Sequence, residues 1–147
     1  MSTLFFRKVV PVPIWEVRLK FSKIVFTLAG IWGIVVTVPL YFLFDIIGRQ
    51  SPPAINHPEF YYSFAGVTLA WQLVFLLIGT NVQRYRMMMA PAILEKVSYV
   101  LAVLALFLRQ KLSVTQAAPC ISDLILAVLF TIAFFKTRGL RESPEHS

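Results

Sequence analysis

The side chains of this 147-residue chain best placed to do chemistry are a few polar groups set inside long apolar runs. Glu95 and Asp123 each interrupt such a run, Gln72 lies in the middle of another, and Asp45 closes a fourth. An ionisable group in hydrocarbon costs about 2.5–3.5 kcal/mol on insertion scales, so each asks for a physical reason. One reading is a polar ladder, Asp45–Asp123–Gln72–Glu95, lining a cavity for a polar head group or a proton. Thr68, one turn before Gln72, is a weaker member. The packing reading is that Glu95 pairs with Lys96, Arg84 or Arg86 and that Asp123 bonds a neighbouring helix. At 1.5 Å per residue, counted from opposite ends of their runs, the two carboxylates should lie about 12 Å apart in depth. They are therefore expected not to touch. Asp123 has no basic residue within four positions, so it is expected to stand without a cation.

His57 and Glu59 offer a second candidate. A histidine beside a carboxylate can act as a general base or a metal ligand. The segment also reads as a proline-led helix start, with Pro58 at the first helical position and Phe60, Tyr61 and Tyr62 as an aromatic belt, and that reading is preferred. His146 is the only other histidine, so a bis-histidine haem within one chain is excluded. Spacings for zinc, a glycine-rich phosphate loop and a nucleophile elbow are absent. Met87, Met88 and Met89 are contiguous and cannot share one helical face, which argues against a copper site. The lone Cys120 allows no internal disulfide. No cofactor or metal is expected.

The elements that must position these residues follow from composition. Of all residues 58% are apolar and 14% charged, against about 25% charged in soluble domains. The charges cluster outside four stretches, 24–44, 60–79, 90–108 and 117–135. Each is close to the about 20 apolar residues that cross a bilayer as a helix, and none alternates with period two. The sequence predicts an all-α, integral-membrane four-helix bundle with short loops. Segment 1–23 leads into it, residues 24–135 form it, and 136–147 make a tail, first basic and then acidic.

The net charge of +7 comes from residues that flank apolar runs and form no basic stripe, which argues against nucleic acid as a partner. Arg7, Lys8, Arg18, Lys20, Lys23, Arg84, Arg86, Lys136, Arg138 and Arg141 fall on one side of the predicted bundle. Only Arg49, Arg109 and Lys111 fall on the other. Basic loops stay inside, so both termini are expected in the cytoplasm. The first run exceeds a signal-peptide core, and it is read as retained. Ile14, Val17 and Phe21 share a helical face beside Trp15, Arg18 and Lys20, the pattern of a short interfacial helix or of an ordinary basic leader.

Helices in lipid meet through small and polar residues. Gly30 and Gly33 mark the contact face of the first run, and Pro39 is expected to kink its outer half. Ala65, Thr68, Gln72 and Gly79 mark the second, Glu95, Ser98, Ala102 and Ala105 the third, and Asp123, Ala127 and Thr131 the fourth. Lys96 is expected to snorkel to the cytoplasmic surface.

His57, Trp71-Gln72-Leu73, Arg84, Arg86 and Ala92-Ile93-Leu94-Glu95-Lys96 together resemble small four-span bacterial inner-membrane proteins, a resemblance that implies no activity. Pro58, Phe60, Ser63, Phe64, Gln72 and Leu73, with Pro91-Ala92-Ile93, are similar to the EXPERA domain of sterol isomerases and sigma-2-like sterol-binding proteins. That resemblance implies a lipid-binding cavity; Thr68 stands where the family carries a glutamate, which counts against isomerase chemistry. The leading expectation is a non-enzymatic lipid-binding module or accessory subunit. Its partners would be membrane lipids, another membrane protein or further copies of itself. The alternatives are a lipid-directed enzyme using Glu95 or Asp123 for acid–base work, and a proton-coupled transporter acting as an oligomer.

Overall fold

The computed structural model describes residues 13–50 and 56–139. Arg7, Lys8, Arg141, His146 and the acidic end of the tail lie outside the described residues. The described chain is a helical bundle without strands: α1 (Ile14–Thr37), α2 (Phe44–Gln50), α3 (Pro58–Thr80), α4 (Met89–Leu108), α5 (Val114–Ala117) and α6 (Cys120–Lys136). Among the described residues, four helical segments are long and apolar enough to cross a membrane: Ile14–Tyr41, Pro58–Thr80, Arg86–Leu108 and Val114–Lys136.

All four begin earlier than expected, the first by the most. α1 starts at Ile14, so the anticipated interfacial helix is the first turns of α1 itself, with Ile14 and Val17 exposed and Phe21 packed against the core. Pro39 does not kink α1. The α-helix ends at Thr37 and Pro39 sits in the 3-10 turn Val38–Tyr41, where its missing N–H costs nothing. The fourth segment begins at Val114, behind a capping box in which Ser113 and Gln116 bond each other's backbone N–H at 3.3 and 2.9 Å. Pro119 then separates α5 from α6. Between α4 and α5 the chain turns through Gln110, which takes a left-handed φ of 56°. There the Lys111 N–H reaches the Leu106 carbonyl at 3.0 Å and the Gln110 N–H reaches Phe107 at 2.9 Å, a Schellman ending made without glycine.

Laterally the order is α3–α1–α6–α4. α1 packs along α3 and touches α6, α6 packs along α4, and α3 meets α4 only slightly. The core lies towards the end of the bundle that holds the 80–89 connection. Phe26 of α1 stacks on Phe130 of α6 with centroids 4.2 Å apart, and Phe75 of α3 meets Phe130 edge-on at 4.9 Å. Val25, Ala29, Ile78, Val82, Met89, Ala92 and Ala133 close around these rings. Arg86 clasps the same end: Nη2 donates to the Phe134 carbonyl at 3.3 Å while its guanidinium carbon lies 4.3 Å from the Phe134 ring centre. The cation thus meets the C-terminal end of α6, the electronegative end of the helix. At the opposite end Tyr41, Phe44, Tyr61 and Tyr62 pack ring on ring, and the Tyr61 hydroxyl donates to the Leu40 carbonyl at 2.8 Å.

The α1–α3 contact depends on missing side chains. A Cβ on Gly30 would stand 2.9 Å from the Gln72 carbonyl oxygen and 2.7 Å from Leu76. One on Gly33 would overlap the Gln72 side chain, and one on Gly79 would overlap the Thr27 hydroxyl. These glycines let the two backbones close together, as the expected faces of the first two runs require. The third run differs. The buried residues of α4 are Met89, Ala92, Lys96 and Val103, whereas Ser98, Ala102 and Ala105 are exposed. The inward face is therefore rotated by about one residue, or 100°, from the small-residue stripe.

Gly33→Ala should lower stability by about 1–3 kcal/mol, the usual cost of overfilling a packed contact. In denaturant unfolding in mixed micelles, the Gly33→Ala/Gln72→Ala double variant should be less destabilised than the two single changes added together. Strict additivity would show that Gly33 and Gln72 do not share this space.

Candidate functional site

Each sequence-predicted residue now has a place. Asp45 is exposed in the first turn of α2, and it takes no part in a ladder. Gln72 is buried, but its Nε2 donates to the Thr68 carbonyl of its own helix at 3.0 Å, and its side chain fills the space over Gly33. It makes a packing contact across the interface, and its hydrogen bond stays within α3. Thr68 contributes that carbonyl. His57 Nδ1 lies 2.9 Å from Glu59 Oε1, and both side chains are exposed where Pro58 opens α3. The geometry is that of a helix start with a local side-chain hydrogen bond. Met87 is exposed and Met89 fully buried, so the three methionines do diverge.

Glu95 and Asp123 are brought together, against expectation, and the residue that does it is Lys96. Its ammonium stands 2.7 Å from Asp123 Oδ1 and 3.2 Å from Glu95 Oε2. Glu95 Oε1 accepts a longer hydrogen bond from it at 3.4 Å. The ammonium also lies 5.3 Å from the centre of the Phe75 ring, within cation–π range. The Lys96 side chain is 7% exposed, and those of Glu95 and Asp123 are 20% and 22% exposed. Lys96 therefore does not snorkel to a surface, and Asp123 does have a cation.

Two features close the expected gap in depth. The fourth helical segment begins at Val114 instead of 117, which sets Asp123 about 4.5 Å further from the helix start. The long lysine stem spans what remains between antiparallel α4 and α6. The signal for Lys96 was present in the sequence: positions 89, 92, 96 and 103 follow the helical repeat of a buried face. Lys96 occupies the slot of an apolar residue on that face, and a lysine in such a slot has to find anions.

The cluster holds one ammonium and two carboxylates, formally one negative charge in excess. Such a trio can pass a proton between carboxylates, or hold an unspent negative charge for a cation brought from outside. Among the described residues no group of histidine, cysteine and acidic side chains has the arrangement of a metal site. Fold and cluster together define a small apolar helical bundle tied across α4 and α6 by an internal ion network. No protein family, curated protein or solved structure matches the chain.

Lys96→Met should cost about 3–5 kcal/mol, the penalty for leaving buried charges without their partner. The triple variant Lys96→Met/Glu95→Gln/Asp123→Asn should recover most of that loss, because no charge remains to be paired. Unfolding in mixed micelles reads both. A Lys96→Met protein as stable as the parent would mean that the ammonium does not hold α4 to α6.

Proposed function

We propose that the chain is a multi-pass protein of the inner (plasma) membrane with both termini in the cytoplasm, and that it serves as a non-enzymatic accessory subunit of a membrane complex. Orientation rests on the lysines and arginines. Arg18, Lys20, Lys23, Arg84, Arg86, Lys136 and Arg138 stand at the end of the bundle bearing the 80–89 connection, against Arg49, Arg109 and Lys111 at the other.

The accessory role rests on one observation: the interior is spent on holding itself together. Three phenylalanine rings occupy the centre, Gln72 fills the space over Gly33, and Lys96 takes up both internal carboxylates. What the molecule offers its surroundings is helical surface, and α4 is the least covered of the four long segments. A second reading, a lipid-directed enzyme or a proton-coupled transporter, draws support from the meeting of Glu95 and Asp123 on one ammonium. Acid–base work needs the two carboxyls within reach of one substrate, and their residual exposure fits such access.

In a Cys120→Ser background, single cysteines in 45–59 and 109–116 should react with a membrane-impermeant maleimide added to intact cells. Labelling of 80–89 instead would reverse the orientation. Native mass spectrometry on protein extracted from its own membranes should show a second protein bound at fixed stoichiometry. The chain alone with one retained lipid would favour the second reading, and the chain with neither would defeat the accessory role.

A further inference from the structure

α4 carries its small residues on the side the bundle leaves open. Glu95, Ser98, Ala102 and Ala105 recur at alternating intervals of three and four, the a/d seam along which helices pack at shallow left-handed angles. Ser98, Ala102 and Ala105 are exposed, with Leu94 and Leu101 exposed beside them. Glu95 heads this seam and belongs to the cluster with one negative charge in excess. Its Oε2 is buried beside the ammonium and accepts no hydrogen bond, and its Oε1 accepts only the long one.

We propose that this face of α4 receives a transmembrane helix of a different protein, carrying a lysine or arginine level with Glu95. Charge decides the occupant. A second copy docking α4 on α4 in the same orientation would set Glu95 against its own counterpart, and like charges in contact are repelled. Nor does the chain have a spare cation for the purpose, since Lys96 is the only basic residue inside 24–44, 60–79, 90–108 and 117–135 and is already engaged. Lipid tails cover an apolar face equally well but leave the excess charge unmatched. A foreign basic side chain matches it, and the small residues let its backbone come close. The inference rests on the accessory reading and names the face and the chemistry of the partner.

The full chain, reconstituted in vesicles of phosphatidylcholine and phosphatidylglycerol, is titrated with a synthetic leucine–alanine transmembrane peptide of about 20 apolar residues. One form of the peptide carries a single arginine and the control carries leucine in its place; energy transfer between end labels reads association. The arginine peptide should bind about threefold to thirtyfold more tightly, the range that interhelical polar contacts give in membranes. Glu95→Gln should reduce that preference, and Ala102→Leu, which adds bulk on an exposed position, should abolish binding with the thermal melt unchanged. Equal binding of the two peptides, or binding indifferent to Ala102→Leu, would overturn the proposal. So would self-association of the parent chain that Ala102→Leu removes, because the occupant would then be a second copy. A native partner that crosslinks through Leu73 on α3 and not through Ala102 would leave the accessory role standing and sink only this inference.

Discussion

An ammonium withdrawn from water must be met by anions, and in this bundle that requirement decides how α4 lies. Lys96 sits among Met89, Ala92 and Val103 on the buried side of its helix. It is held there by a carboxylate from its own helix and one from α6. Breaking either contact leaves a charge in surroundings where solvation is poor. The pairing of α4 with α6 therefore carries a specific register, Asp123 level with the lysine head, which apolar packing alone would not impose. Phe75 adds a third helix to the arrangement by presenting its ring to the same ammonium.

The other helix pair is held by the opposite device. α1 and α3 bury no charge against each other; they approach closely because Gly30, Gly33 and Gly79 leave room for Leu76, Gln72 and Thr27. Many weak dispersion contacts, each worth about 0.1–0.2 kcal/mol, accumulate where two backbones run close. Phe26 and Phe130 join the two pairs, since α1 and α6 are the inner helices of the row. One pair is set by charge and the other by the absence of side chains, and a stack of aromatic rings links them.

That division explains what could be read from the residues alone. The four segments were legible because all of the chain's charges except Glu95, Lys96 and Asp123 lie outside them, and the α1 and α3 faces were legible because glycine has few other reasons to recur in such helices. Their boundaries were less so: the capping box at Ser113 and the first turns from Ile14 lie among polar residues, where an apolar count stops early. The site was misjudged for a related reason. Depth counted along each run treats side chains as points at their backbone, and the long lysine stem defeats that approximation. Glu95 and Asp123 stand out in the sequence as charges inside apolar runs, but the group joining them reads as a surface residue because basic residues near helix ends usually reach the interface.

The neighbouring positions 95 and 96 complete the argument. Adjacent residues on a helix point about 100° apart, so α4 cannot turn both fully inward. The buried slot goes to Lys96, whose charge has the longer tether and reaches Asp123; Glu95 is then carried towards the rim, where its side chain keeps 20% of its exposure. The same rotation that hides the lysine turns Ser98, Ala102 and Ala105 outward. The exposed small-residue seam and the internal ion network are thus two consequences of one helical register. A change that buried the seam against this chain's own helices would have to take the lysine away from its carboxylates.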